Sequence, residues 1–171
     1  GIKSFTFAMM QVALDLSREK LDSKTMREVI NIGREMMEHP VDFIDGVPNI
    51  LESLSESYEL VLITKGDLID QERKVNLSNV GRWFKNIEIV SEKHSSTYKN
   101  IFSRFGKMDE SVMVGNSIKS DAVPAVKAGA WGIHVPYPIT WELEMAEPMT
   151  DHERYFDANN LSHAAEIIKS I

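Results

Sequence analysis

The stretch "VMVGNSIKSDA", Val112 to Ala122, decides how the rest of this chain is read. It opens on an apolar run, Val112 to Val114, of the kind required by a strand covered on both faces. The run breaks at Gly115, and Asn116 and Ser117 follow the break. A carboxylate, Asp121, stands five residues beyond Asn116, at the start of the helix-forming segment "SDAVPAVKAGA". An amide oxygen and a carboxylate around such a turn can share a hard cation such as Mg²⁺, which prefers oxygen ligands. The plainer use of the same residues is an N-cap with an acid in the first turn.

Working outward, the same rhythm repeats. Upstream, "NIEIVSE" reads as a strand and "STYKNIFSRFG" as a helix closed by Gly106. Before them, "YELVLITKG" is an apolar strand that ends in polar residues and Gly66. It leads into "DLIDQERKVNLSNV", a helix with Asp67 at its N-cap. "GVPNILESLSES" is a helix with Pro48 near its first turn, and downstream "WGIHVP" is a further strand. Strands alternating with helices of about ten residues mean βαβ units, hence an α/β fold with a doubly wound, Rossmann-like parallel sheet. Such sheets bind ligands beyond the carboxyl ends of their strands.

Four strand ends therefore matter. At the first, Thr64, Lys65 and Gly66 combine a hydroxyl, amides and a permissive glycine, which suits an anion. At the second, Lys93 follows its strand directly and can neutralise a phosphoryl group; Lys99 lies in the next helix. His94 stands beside Lys93, and a lone histidine is weak evidence for acid–base work. The third is Asn116 with Asp121. The fourth, "HVPYPITWELE", holds Pro136 and Pro138 around Tyr137, then Trp141, and reads as a rigid loop, for packing or for lining a substrate mouth.

Residues 1–40 differ from the rest. "FTFAMMQVALDLSREK" sets Phe5, Met9, Val12 and Leu16 at helical spacing, and "DSKTMREVINIGREMMEH" does the same with Met26, Val29, Ile30, Met36 and Met37. Ser23 or Thr25 is expected to cap the second helix, with Thr25 and Glu28 as a capping box, and Pro40 stops it. The pair has a methionine-rich face that reads as core filling.

The 171 residues suffice for one domain with a real core. The net charge of −7 argues against nucleic acid as a partner, because counterion release needs clustered cations. No cysteine is present, which excludes disulfide and thiolate chemistry and suits a reducing cytoplasm. No apolar run reaches membrane-spanning length.

The order of the strand ends is more specific than any one of them. Strand-Thr, strand-Lys, then strand-Gly-polar-Ser with a following Asp and an alanine-rich helix resembles the haloacid dehalogenase-like hydrolase superfamily. The resemblance covers about residues 41–138. "DGVPNILESLSESYELVLITKG" looks like its second motif, with Thr64 as the phosphate-binding hydroxyl. "IVSEKHSSTY" looks like the third, with Lys93 as the charge-stabilising lysine. "VMVGNSIKSDAVPAVKAGAWGIHVP" is the strongest match and looks like the fourth, metal-binding motif. Residues 1–40 resemble the helical cap of many members, which leaves 41–171 as an incomplete hydrolase core.

Two departures stand out. The usual Gly-Asp is here Gly115-Asn116, which keeps an oxygen ligand but loses a charge. The first motif, Asp-x-Asp, whose first Asp is the family's nucleophile, has no counterpart; "LDLS" at Leu14 to Ser17 lies inside a helix and lacks the second carboxylate. The resemblance thus implies a Mg²⁺-dependent phosphatase acting on a small phosphorylated molecule through an aspartyl-phosphate. Thr64 and Lys93 would be catalytic, Thr64, Lys65, Gly66 and Lys93 would bind phosphate, and Asn116 with Asp121 would hold the metal. A first core strand, from a missing N-terminal segment or another chain, would complete the sheet. Metal-independent dehalogenation and a non-catalytic module of the same fold are the alternatives.

Overall fold

The computed structural model describes residues 1–139 and 142–171. Trp141 lies outside the described residues. The chain divides into two units, Gly1–Asp42 with Gly66–Asn79, and Phe43–Lys65 with Val80–Ile171.

The first unit holds three helices, α1 (Ile2–Leu16), α2 (Ser23–Glu38) and α4 (Leu68–Ser78). Asp22, rather than Ser23 or Thr25, caps α2. Its backbone is extended, and its carboxylate accepts the amides of Lys24 and Thr25 at 2.8 and 2.9 Å. Thr25 already lies in the first turn, so its hydroxyl donates to Asp22 instead of capping. Asp67 caps α4 as expected, accepting the Asp70 amide at 3.1 Å. Helices α1 and α2 approach closely where a Cβ on Gly33 would come within 2.5 Å of Thr6 Oγ1. The expected methionine-rich core forms only in part: Met9, Met26 and Met37 are half-buried, and Met36 is exposed. Gly33 is the buried residue of α2, α1 has none, and Phe5 and Leu16 remain 52% and 82% exposed. Two crossing helices share one seam, and side chains off that seam stay open.

The second unit carries the strands. Helix α3 (Val47–Ser55) precedes β1 (Val61–Lys65), and β2 (Asn86–Val90) is followed by α5 (Ser95–Phe105). Then come β3 (Val112–Gly115), α6 (Val123–Ala128), β4 (Trp131–His134), β5 (Tyr155–Asp157) and α7 (Leu161–Ser170). Among the described residues all the pairings are parallel, as the alternation of strands and helices requires. The strands fall into two sheets, ordered β1-β2 and β3-β4-β5, so β1 and β3 are not paired with each other. Alternation along β3 shows how both faces are covered. Met113 points into a core with Ile63, Tyr98, Ile101, Phe102 and Ala125, while Val112 and Val114 pack against Ile133 and Ala164 on the other side.

Helix α5 does stop at Gly106, but with φ 178°, so the stop is extended backbone and not a left-handed cap. Gly129, after α6, takes the left-handed conformation at φ 100°. Strand β5 and helix α7 lie beyond the part of the sequence read above; β5 adds to the β4 edge.

Candidate active site

The residues singled out at the strand ends all belong to the second unit, apart from Gly66, which opens the second segment of the helical unit with φ 150°. Thr64 is the penultimate residue of β1, opposite Ile89 of β2.

Lys93 and Asp121 come together. Lys93 Nζ donates to Asp121 Oδ1 at 2.7 Å, and the side chains are only 12% and 5% exposed. The backbone from Ser117 places Asp121 there. Ile118–Ala122 forms a π turn in which the Asp121 and Ala122 amides both donate to the Ser117 carbonyl, at 2.9 and 3.2 Å. The wide turn folds the carboxylate back so that Asp121 Oδ2 accepts the Ser117 amide at 3.0 Å. Gly115 permits this, because a Cβ there would lie 2.5 Å from Asp121 Cγ. Beneath the pair, fully buried Tyr98 donates its hydroxyl to the Ser120 carbonyl at 2.8 Å and lies 3.5 Å from Asp121 Oδ1. Burial, with the Asp121 charge beside it, pushes the Tyr98 hydroxyl far above its usual range, so it stays a donor.

His94, beside Lys93, has a structural use. It stands at the N-cap of α5, where its side chain accepts an amide of the first turn and Thr97 Oγ1 accepts the His94 amide at 3.3 Å. A shallow cleft of about 240 Å³ next to it is lined by Lys93, Ser95, Lys119 and Lys127, which makes this edge of the strand ends basic.

Sequence reasoning missed Glu144. It lies in a short helical turn, Glu142–Glu144, and its carboxylate collects three side-chain donors. Lys65 Nζ reaches Oε1 at 2.9 Å, and Ser117 Oγ reaches Oε2 at 2.7 Å, where Ser120 Oγ also donates. Burial works against the Glu144 charge, but the bonds from Ser120, Lys65 and Ser117 outweigh it and hold the carboxyl down at about 2. Glu144 in turn raises Lys65, with Glu92 adding at 3.6 Å.

The donors do not fit a magnesium centre on their own. Asn116 is exposed and offers one neutral oxygen. Both oxygens of Asp121 already accept hydrogen bonds, and its charge is balanced by Lys93. Among the described residues there is no group of three acidic or histidine side chains placed to hold a metal ion.

Neither a family model nor a curated protein matches the chain by sequence. Solved structures do. A haloacid dehalogenase-like family hydrolase from Xanthomonas campestris superposes with a TM-score of 0.87 at 34% identity, over 99% of this chain and 72% of that one. The chain belongs to the haloacid dehalogenase-like hydrolase family. Two other structures are similar in fold alone. One is a 2-haloacid dehalogenase from Pseudomonas syringae (TM-score 0.61, 21% identity, 97% of this chain and 72% of that one). The other is a predicted phosphoglycolate phosphatase from Haemophilus somnus (TM-score 0.63, 14% identity, 95% and 75%). As a haloacid dehalogenase-like protein the chain is a hydrolase, on a parallel α/β scaffold. Among the described residues no helix is long and apolar enough to cross a membrane.

Proposed function

We propose that this hydrolase is a phosphatase for a small phosphomonoester, working through an aspartyl-phosphate. The observation that carries the reading is the buried Lys93–Asp121 pair at 2.7 Å, at the carboxyl ends of β2 and β3. A lysine held there by a carboxylate is a fixed positive charge where a phosphoryl group would gain negative charge in the transition state. Thr64, at the end of β1, would donate its hydroxyl to a phosphoryl oxygen, with the amides beside it in support. In this reading the attacking carboxylate belongs to a strand seated between β1 and β3, the two strands that fall in different sheets. It forms a bond to phosphorus as the ester oxygen leaves, and water then attacks the acyl phosphate to release orthophosphate. The helical unit would act as the cap.

Asn116 favours a second reading, dehalogenation at carbon without a metal, because it leaves the fourth motif one charge short for magnesium. The test is a panel of small phosphomonoesters and 2-haloacids, each assayed on the full-length protein with magnesium and with a chelator. Phosphate release supports the phosphatase, and halide release that survives the chelator replaces it with the dehalogenase.

A further inference from the structure

The ends of β1 and β3 carry the two turns on which the proposed chemistry depends, yet no ladder joins these strands. One side chain does. Glu144 commits Oε1 to Lys65, the last residue of β1, and Oε2 to Ser117 and Ser120, in the turn after β3. Each oxygen therefore serves one strand end. The Ser117 hydroxyl also reaches the Glu144 main-chain carbonyl at 3.3 Å, which anchors the residue as well as its side chain. Lys65 is held from two sides, by Glu144 at 2.9 Å and by the more exposed Glu92 at 3.6 Å. Its charge is spent within the protein.

We propose that Glu144 is a positioning residue of this hydrolase, setting the separation between the Thr64 turn and the Asn116–Asp121 turn by binding Lys65, Ser117 and Ser120 together. On this view the Lys65 side chain is a tie between strand ends, and Lys65 serves an anion through its backbone amide. The proposal rests on the phosphatase reading of those turns. Its force is geometric. Thr64 and Lys93–Asp121 must meet one phosphoryl group from different strands, and a misplacement of about 1 Å between such groups can cost about a hundredfold in rate.

The experiment compares the full-length protein with Glu144→Gln, Lys65→Met and the double variant. It measures kcat and KM on p-nitrophenyl phosphate, orthophosphate binding by calorimetry, and melting temperature. Each single variant is expected to lower kcat/KM by about tenfold or more and to weaken orthophosphate binding. The double variant is expected to be no worse than the poorer single, because both break one tie. If Glu144→Gln does not fold, Ser120→Ala removes one of the ties and is expected to shift both readouts in the same direction by less. A lower melting temperature with unchanged kcat/KM and phosphate binding overturns the proposal, since Glu144 would then only stabilise the fold. Tighter phosphate binding in Glu144→Gln also overturns it, since Glu144 would then be a competing anion. An active, phosphate-binding wild type with unchanged variants leaves the phosphatase reading standing. A wild type that neither hydrolyses phosphomonoesters nor binds orthophosphate removes both.

Discussion

Lys93 Nζ lies 2.7 Å from Asp121 Oδ1, and the two side chains are almost wholly shielded from water. Removing one partner of such a pair leaves a buried charge without compensation, at a cost of about 3–5 kcal/mol. Lys93→Ala is therefore expected to lower stability by about that amount in urea. In protein shown to be folded by circular dichroism, turnover of the best phosphomonoester is expected to fall by at least about 10²-fold. Hydrolysis near the wild-type rate would remove Lys93 from the catalytic machinery.

Asn116 is exposed at the start of the turn that carries Asp121, and contributes an oxygen without a charge. Asn116→Asp adds a carboxylate at the same position. Magnesium binding, measured by calorimetry on the full-length protein, is expected to be weak in the wild type and tighter in the variant by about tenfold, a gain of about 1.4 kcal/mol. Unchanged or weaker binding would mean that Asn116 faces away from any cation.

Glu144 gives a pH signature. Its carboxyl lies at about 2 in the folded protein against an ordinary 4.5. A depressed acid stabilises the fold fully above its unfolded value, and that contribution disappears as pH falls toward the folded value. The stability difference between wild type and Glu144→Gln is thus expected to be constant near neutrality and to shrink between pH 4.5 and about 2. Urea midpoints of both proteins across that range provide the measurement, and the comparison cancels acids common to both, such as Asp70. A difference that does not change with pH would show that the charge of Glu144 contributes nothing to its bonds.

How far the sequence could be read depended on whether a residue's partners were local. Strands β1 to β4 were legible because each is an apolar run ended by polar or glycine residues. Thr64, Lys93 and Asp121 stand out in the sequence because such sheets bind ligands at those ends. Strand β5, with three residues, is too short to show a period, whereas α7 carried a readable signal in Leu161, Ala164 and Ile168 at helical spacing. The exposed face of α1 was misread because periodicity reports a stripe, not what covers it. Glu144 could not be found. Its partners lie 24, 27 and 79 residues away, and in "WELEMAE" nothing separates it from Glu142 or Glu147.

Gly132 offers a test of packing in the β3-β4-β5 sheet. A Cβ there would come within 2.5 Å of the Ala122 carbonyl oxygen and 2.9 Å of Val126 Cγ2. The carbonyl is backbone, so it cannot rotate away, and Ala122 adjoins Asp121. Gly132→Ala is expected to destabilise by about 1–3 kcal/mol, the usual cost of overpacking, and to disturb the Lys93–Asp121 pair. Wild-type stability in urea would mean that the turn after β3 yields more easily than its π-turn hydrogen bonds suggest.

The last prediction concerns the separation of β1 from β3. Strands β1 and β3 contribute Ile63 and Met113 to the same core but belong to different sheets, and the family resemblance implies a strand between them that ends in the nucleophilic Asp. On that reading the strand would supply ladder partners to the facing amides and carbonyls of β1 and β3. Each buried polar group left unsatisfied costs roughly 1–3 kcal/mol. Several together rival the whole stability of a domain, about 5–15 kcal/mol. Residues 1–171 expressed alone are therefore expected to unfold over a broad range of urea and to show no turnover. Restoring a strand that ends in Asp-x-Asp is expected to bring back a steep transition and activity together, whereas the same strand ending in Asn-x-Asn should restore the transition alone. That last comparison separates the two roles of the segment, one in the sheet and one at phosphorus. A monomer of residues 1–171 with a steep transition of ordinary stability would refute the first role, and turnover by that monomer would refute the second.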